Sequence, residues 1–332
     1  MKYILFFAIL LLVACNNRVA PEEKKASPVE RLDPALDAIT SQDIELEVIG
    51  SGYEWSEGAL WVAGQNMLLF SDVPKNTIYK WTKENGITLY LQPSGYTGIG
   101  QYSNEPGSNG LLLDEEENLI LCQHGDRRIA LMNAPIHDPK PDFITIADKY
   151  DNKKLNSPND ACRDAAGNIY FTDPPYGLPQ QEKDATKETP YQGVYKITPE
   201  GKVYLLLDSL TRPNGIALSP DEKYLYVANS DPGKCHWYRY ELGDSTVRSG
   251  GIFYDATALM ASGPGVPDGM KVDQNGNIFG TGPGGICILN PAGKLLGRIR
   301  FDGPTSNCAL ADEDKTLYVT NDDKVVRVQL RK

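Results

Sequence analysis

Six similar segments recur along the chain, and this repetition constrains the fold more than any other feature of the sequence. Each begins with a small residue or proline, followed by Glu, Asp or Asn and usually Gly, and then runs into a short strand, a polar turn and a second strand. Most successive segments are spaced by about fifty residues, which fits a four-stranded propeller blade with its loops. The segments start at Ser56, Ser108, Pro158, Pro213, Pro267 and Ser306.

Strands that alternate around turns rich in Asp, Asn and Gly are typical of hairpins, and no stretch carries a sustained helical apolar stripe. We therefore predict an all-β fold, a six-bladed β-propeller formed by residues 41–332. Too few residues follow position 307 for four more strands. Residues 44–49 alternate between apolar and polar side chains, so we expect them to complete the last blade as an N-terminal strand and close the ring.

The residue that opens the first strand of each blade should face the central axis, because a propeller places these strands beside its channel. All six residues at this position carry side-chain oxygens, and none is apolar or cationic. They are Glu57, Asn109, Asn159, Asn214, Asp268 and Asn307.

An isolated Asn-Gly or Asp-Gly pair is usually a turn, but here a separate turn follows the pair within each repeat. Two carboxylates among buried amides would need a compensating cation. Oxygen donors without His or Cys suit a hard cation, so we predict one divalent ion, with Ca²⁺ the best match. Mg²⁺, Mn²⁺ and Zn²⁺ remain open.

Five short motifs make the chain, over roughly residues 50–330, similar to the gluconolactonase family, which includes the senescence marker protein regucalcin. The resemblance implies a propeller lactonase in which Glu57, Asn214 and Asp268 bind the metal and Asp268 is also catalytic. Asn159 is then expected to face the metal or the substrate, and we count it as a fourth ligand. The motifs lie at residues 56–61, 156–160, 170–177, 212–217 and 267–270.

Two departures from the regucalcin branch concern sugar recognition. That branch has an arginine where this chain has Ser157, and a glutamate further along where this chain has Tyr176 and Gly177. The sugar-binding residues of that branch therefore do not transfer, and the identity of the lactone stays open.

Lactone hydrolysis requires a polarised carbonyl and an activated water. We expect the metal to polarise the carbonyl and Asp268 to act as the general base, although a nucleophilic role for Asp268 is also open. Asn109 and Asn307 are candidates for substrate binding. Residues that end the second strand of each hairpin, His124 and Asp173 among them, are candidates for holding the site in place.

His124 is either a proton shuttle or a hydrogen-bonded structural histidine. Residues 92–107 form a loop rich in Gly, Tyr and Ser, and either a lid over the site or an inert surface loop is consistent with its composition.

Two other functions share this scaffold. One is an esterase or phosphotriesterase, and the other is a non-catalytic sugar-binding propeller with a structural metal. Neither a G-x-S-x-G nor an H-E-x-x-H motif occurs. Residues 280–285 match G-x-G-x-x-G, but no helix is predicted after them, so we interpret them as a loop.

The N-terminus predicts an exported lipoprotein. A lysine and an apolar run precede Cys15 in a sequence that resembles a lipoprotein cleavage box, so residues 1–15 are interpreted as a signal peptide ending in Cys15. Residues 16–40 are polar and interpreted as a flexible tether. We expect a lipid-anchored protein of the bacterial cell envelope that faces the periplasm or exterior and touches the membrane only through this anchor.

The partners follow from charge and chemistry. The formal net charge of −11 argues against a nucleic-acid partner, because phosphate binding needs clustered Lys and Arg. We expect a monomer whose partner is a small-molecule lactone.

Overall fold

The computed structural model describes residues 27–331. The predicted signal peptide, Cys15 and the first part of the predicted tether therefore lie outside the described residues. Within residues 27–331, no helix has the length and apolar character needed to cross a membrane.

Apart from one two-stranded hairpin, the strands group into six antiparallel sheets, one for each predicted repeat. Strands β1 (Val29–Arg31) and β2 (Leu46–Ser51) precede the first blade. Blade 1 consists of β3 (Ser56–Val62), β4 (Met67–Asp72), β5 (Thr77–Thr82) and β6 (Gly86–Leu91). Blade 2 consists of β7 (Ser108–Leu113), β8 (Leu119–Gln123), β9 (Arg128–Met132) and β10 (Phe143–Ala147). A small hairpin follows, formed by β11 (Lys149–Tyr150) and β12 (Lys153–Lys154).

The remaining blades repeat the same arrangement. Blade 3 consists of β13 (Ala161–Arg163), β14 (Ile169–Asp173), β15 (Gly193–Ile197) and β16 (Val203–Leu207). Blade 4 consists of β17 (Pro213–Leu218), β18 (Tyr224–Asp231), β19 (Lys234–Leu242) and β20 (Val247–Asp255). Blade 5 consists of β21 (Met270–Val272), β22 (Ile278–Gly282), β23 (Gly285–Leu289) and β24 (Leu295–Arg300). Blade 6 contains β25 (Thr305–Ala311), β26 (Thr316–Asn321) and β27 (Lys324–Gln329).

Short 3₁₀ helices are the only helices among residues 27–331. They span Pro34–Ala38, Ala63–Gln65, Gln181–Lys183 and Thr257–Ser262.

Strand β2 closes the ring, which confirms the predicted closure. It pairs antiparallel with β27, so that the sixth sheet has the order β2, β27, β26, β25. The first strand of every blade contacts the first strand of the next, and β25 contacts β3. The prediction of an all-β, six-bladed propeller is therefore confirmed.

The core consists of six apolar clusters, one between each pair of neighbouring blades. Strand β4 shows how alternation builds them: Leu69 packs toward blade 2, and Leu68 and Phe70 pack toward blade 6. Because successive side chains of a strand point to opposite faces, one strand supplies both clusters.

The prediction that residues 16–40 form a flexible tether is wrong for residues 27–40, the part that the structure describes. Strand β1 pairs with β24 as a fifth strand of blade 5, where Glu30 accepts a hydrogen bond of 2.7 Å from Arg298. The following 3₁₀ helix buries Leu36 completely, and Ile39 is buried in the same cluster. Val29, Leu36 and Ile39 are spaced so that they cover the edge between blades 5 and 6.

Candidate functional site

One cavity of about 280 Å³ opens where the inner strands converge. Its wall contains five of the six residues predicted to open the blades. These five are Glu57, Asn109, Asn159, Asn214 and Asp268. Residues far apart in the sequence thus meet around one small volume, as the repeat pattern predicts.

Irregular strand pairing turns these side chains toward the axis. The ladder between the first two strands shifts register between Glu57 and Leu60 in blade 1, and similar shifts occur in blades 2, 4 and 6. In blades 3 and 5 the paired strand starts only after the site residue, at Ala161 and Met270. A bulge re-aims a side chain that would otherwise project from the sheet face.

The glycine that follows a site residue allows the neighbouring blade to approach. A side chain on Gly58, which has a φ of 57°, would place its Cβ 2.0 Å from the carbonyl oxygen of Asn109. A Cβ on Gly215 would lie 2.1 Å from the carbonyl oxygen of Asp268. These acid-Gly and Asn-Gly pairs are therefore inter-blade contacts around the axis rather than hairpin turns.

Buried hydroxyl groups fix the backbone at the same level. The Ser71 hydroxyl donates to the carbonyl of Asn109 at 3.0 Å, and the Thr172 hydroxyl donates to that of Asn214 at 2.7 Å. Each bond joins one blade to the next. The backbone carbonyls of these two asparagines are thereby occupied, while their side chains remain directed to the cavity.

Two of the three carboxylates of the cavity wall, those of Glu57 and Asp268, have strongly perturbed pKa values. Burial raises the pKa of Glu57 well above its ordinary range, although hydrogen bonds from the Trp55 indole N–H and the Gly58 backbone N–H, both 3.2 Å, oppose the shift. Burial likewise raises the pKa of Asp268, and the negative charges of Glu57 and Asp160 raise it further. Two desolvated acids of like charge favour a protonated form unless a positive charge compensates them.

The unpaired oxygens of the cavity test whether a cation fits. Oδ1 of Asn109, Oδ1 of Asn159 and Oδ1 of Asp268 are all buried and have no hydrogen-bond partner. Orphaned oxygens beside uncompensated carboxylates are the donors that a hard divalent cation uses. Among residues 27–331 no group of three or more His, Cys, Asp and Glu side chains is arranged to bind a metal. The fit therefore depends on amide oxygens acting together with the two carboxylates.

A family model described as the SMP-30/Gluconolactonase/LRE-like region matches residues 55–322. The chain belongs to this family. It is 39% identical over 311 residues to the gluconolactonase of Zymomonas mobilis subsp. mobilis, covering 91% of this chain and 86% of the relative.

Solved structures agree with the fold. A gluconolactonase from Xanthomonas campestris superposes with a TM-score of 0.80 at 28% identity, covering 94% of this chain and 99% of that one. A calcium-binding regucalcin from Agrobacterium tumefaciens, at 16% identity and a TM-score of 0.67, covers 87% of this chain and 96% of that one and shares the fold.

In this member of the family, His124 lies beside the cavity wall. Its side chain is completely buried, with Nε2 3.5 Å from Nδ2 of Asn159 and Nδ1 3.7 Å from Oε2 of Glu105. Burial lowers the pKa of His124 to about 3. The imidazole is therefore neutral at neutral pH and contacts a predicted ligand directly.

Asp173 does not line the cavity, and it holds the chain that enters blade 3. Its carboxylate accepts hydrogen bonds from the backbone N–H groups of Asn156 at 2.7 Å and Ser157 at 2.8 Å. Burial raises the pKa of Asp173 to about 7, although these two bonds oppose the shift. Asn229 plays the same part in blade 4, where its Oδ1 accepts from the Arg212 N–H at 2.8 Å.

Asn307 is the blade-opening residue that does not line the cavity. Its Oδ1 accepts from the Cys308 backbone N–H at 2.8 Å and from the Lys271 ammonium at 3.2 Å, and its Nδ2 lies 3.4 Å from Oδ2 of Asp160. This amide is therefore occupied within a buried network between blades 3, 5 and 6.

Seven residues of the cavity wall were not predicted from the sequence: Trp55, Glu105, Tyr176, Arg212, Ser230, Pro232 and Val266. Glu105 comes from the loop at residues 92–107, which thus reaches the site, and burial raises its pKa to about 7. Glu105 is the only charged residue of that loop, and this was the signal that could have identified it. Asp160 was also missed, although it stands where four of the other five repeats have glycine.

Proposed function

We propose that this chain hydrolyses a sugar lactone with the help of one divalent cation, held by Glu57, Asn159, Asn214 and Asp268. The observation that carries the proposal is the convergence of two buried carboxylates and three amides from five blades on one cavity. Oxygen donors of this kind favour Ca²⁺. When bound, the cation would polarise the lactone carbonyl and compensate the two carboxylates.

Asp268 is the base in this proposal. Its Oδ1 belongs to the cavity wall and has no hydrogen-bond partner within the protein, so it can accept a proton from water. It takes a proton from the attacking water as the new C–O bond forms. As the ring C–O bond breaks, the proton passes to the departing ring oxygen, and the product is an open-chain hydroxy acid.

The size of the cavity favours a compact substrate. Small-molecule sites usually occupy about 300–1,000 Å³, so a volume of about 280 Å³ suits a monosaccharide lactone better than a bulky aryl ester or organophosphate. Trp55, Tyr176 and Arg212 line the remaining wall with aromatic surface and hydrogen-bond donors for sugar hydroxyls. The lactonase activity of relatives in this family supports the same choice.

A substrate panel with metal removed and restored tests the proposal. We expect hydrolysis of sugar lactones that disappears with chelator and returns with Ca²⁺, and a loss of about 10²–10⁴-fold in kcat for Asp268→Asn. Asp138→Asn, a change at an exposed residue, serves as the matched control. Preference for an aryl ester or organophosphate over every lactone would instead indicate an esterase or phosphotriesterase, and sugar binding without turnover would indicate a binding protein.

A single turnover in ¹⁸O-labelled water separates the two roles considered for Asp268. A general base leaves the label in the product alone. A nucleophile would form an acyl anhydride, and water that attacks its Asp268 carbonyl would break the bond between that carbonyl carbon and the bridging oxygen, so that the first product takes an unlabelled oxygen and Asp268 retains the label.

A further inference from the structure

The side chain of His124 lies between two residues of the cavity wall, Glu105 and Asn159. Nδ1 is directed toward the Glu105 carboxylate, and Nε2 toward the Asn159 amide nitrogen. An amide nitrogen can only donate a hydrogen bond, so Nε2 must accept and the imidazole proton must lie on Nδ1. Nδ1 makes no hydrogen bond, and the Glu105 carboxylate 3.7 Å away favours a proton on that side through its charge.

This tautomer and the orientation of the Asn159 amide go together. Once Nδ2 is directed to the imidazole, Oδ1 must be directed the opposite way. This Oδ1 is one of the three buried oxygens without a hydrogen-bond partner, and Asn159 lines the cavity. A free asparagine could rotate its amide by 180° and present a nitrogen, which repels a cation.

The surroundings prevent the imidazole from turning. His124 is completely buried, and the backbone of Gly177 lies so close that a Cβ there would be 2.5 Å from the Cβ of His124. The Ser157 hydroxyl accepts a hydrogen bond of 2.9 Å from the Gly177 N–H and donates one of 2.6 Å to the carbonyl of Pro174. The turn that confines His124 is thereby fixed to the strand entry that carries Asn159.

We propose that His124 is a positioning residue that fixes the Asn159 amide with its oxygen toward the cation. Nε2 of His124 accepts from the Asn159 amide nitrogen, and the amide thereby presents Oδ1 to the metal. This inference rests on the proposed cation site. It assigns His124 a role in cation affinity. His124 would then not act as a proton shuttle in the reaction.

Calorimetric titration of chelator-treated protein with Ca²⁺ tests the inference. His124→Leu removes the acceptor, and we expect Ca²⁺ affinity to fall about 10- to 100-fold, as is usual when a residue that orients a metal ligand is lost. His124→Gln, which keeps an acceptor, should retain most of the affinity. His137→Leu, at an exposed histidine, should leave it unchanged. In an Asn159→Ala background, His124→Leu should cause no further loss.

Activity then separates positioning from proton transfer. The kcat of His124→Leu should recover when Ca²⁺ is raised to saturation. Affinity equal to that of the unmodified protein, combined with a low kcat at saturating Ca²⁺, would overturn the inference while leaving the cation site in place. If the unmodified protein binds no divalent cation, the proposed function fails first and this inference fails with it.

The tautomer can be measured without any change to His124. Long-range ¹H–¹⁵N spectra distinguish protonated from unprotonated ring nitrogens, and the chain contains only three histidines. We expect His124 to carry its proton on Nδ1 at neutral pH. A proton on Nε2 would overturn the inference, because Nε2–H would draw Oδ1 of Asn159 away from the cation.

Discussion

The Ser157 hydroxyl accepts a hydrogen bond from the Gly177 backbone N–H at 2.9 Å, and the two residues together form the wall against which His124 packs. A Cβ on Gly177 would lie 2.5 Å from the Cβ of His124 and 2.8 Å from that of Ser157. Both residues belong to the departures from the regucalcin pattern, which also include Tyr176. In this chain Ser157 and Gly177 pack together against a buried imidazole.

Replacement of Gly177 tests that coupling. Gly177→Ala should lower the free energy of unfolding by about 1–3 kcal/mol, because neither neighbouring Cβ can rotate away. Chemical denaturation measures the change. Gly251→Ala is the matched control, since no atom lies within 4 Å of a Cβ built there. Equal free energies of unfolding for the two variants would show that the turn at Gly177 can shift to accommodate a methyl group.

Replacement of Glu57 should change thermal stability in opposite directions in the absence and in the presence of Ca²⁺. Because burial disfavours its charged form, Glu57→Gln should raise the melting temperature of the cation-free protein. The same change should abolish stabilisation by Ca²⁺, since a ligand charge is lost. Thermal unfolding with and without Ca²⁺ measures both effects, and Glu84→Gln, at an exposed residue, should change neither. A variant that is still stabilised by Ca²⁺ would exclude Glu57 as a ligand.

The raised pKa values of Glu57 and Asp268 predict how pH acts on the site. Since both folded-state values lie above their unfolded ones, the contribution of these groups to the stability of cation-free protein is present at acid pH. It is lost as pH rises through the raised values. Protons compete with the cation, so Ca²⁺ affinity should increase over the same range. Calorimetry across pH would contradict this if the affinity were constant from acid to neutral pH.

The N-terminal anchor remains a prediction, because Cys15 lies outside the described residues. We expect labelled fatty acid to be incorporated into the full chain in a bacterial host and the protein to fractionate with membranes. Cys15→Ser should abolish both, while lactone hydrolysis by the released propeller should persist. Unlabelled protein that is nevertheless exported would indicate an ordinary signal peptide.

The fold was predictable because its pattern is repeated six times. Alternation such as Leu68, Leu69 and Phe70 in β4 assigns each side chain to one of two inter-blade clusters, and the polar turns mark every hairpin. Strand β1 was missed because three residues, Val29–Arg31, in a polar context carry no periodic signal. Its position depends on pairing with β24, more than 260 residues away.

The site was only partly predictable. The repeat pattern brings five oxygen donors to one cavity, because their position in the blade fixes their position around the axis. Asn307 follows the same pattern but is drawn into hydrogen bonds with Lys271 and Asp160, and these depend on which side chains the other blades place in the channel. Glu105 reaches the wall through the path of a long loop, which no local pattern specifies.

Closure of the ring by β2 and β27 has a consequence for how the protein folds. Leu46 pairs with Val328 and Ser51 with Lys324, so a single ladder joins segments about 280 residues apart. Contacts of this sequence separation form late and slowly in folding. Chains in which β2 has not yet paired with β27 would have five complete sheets but an open ring. The site residues would then not yet surround one cavity. Active molecules should consequently emerge in one late kinetic phase, after most of the strand signal has already appeared.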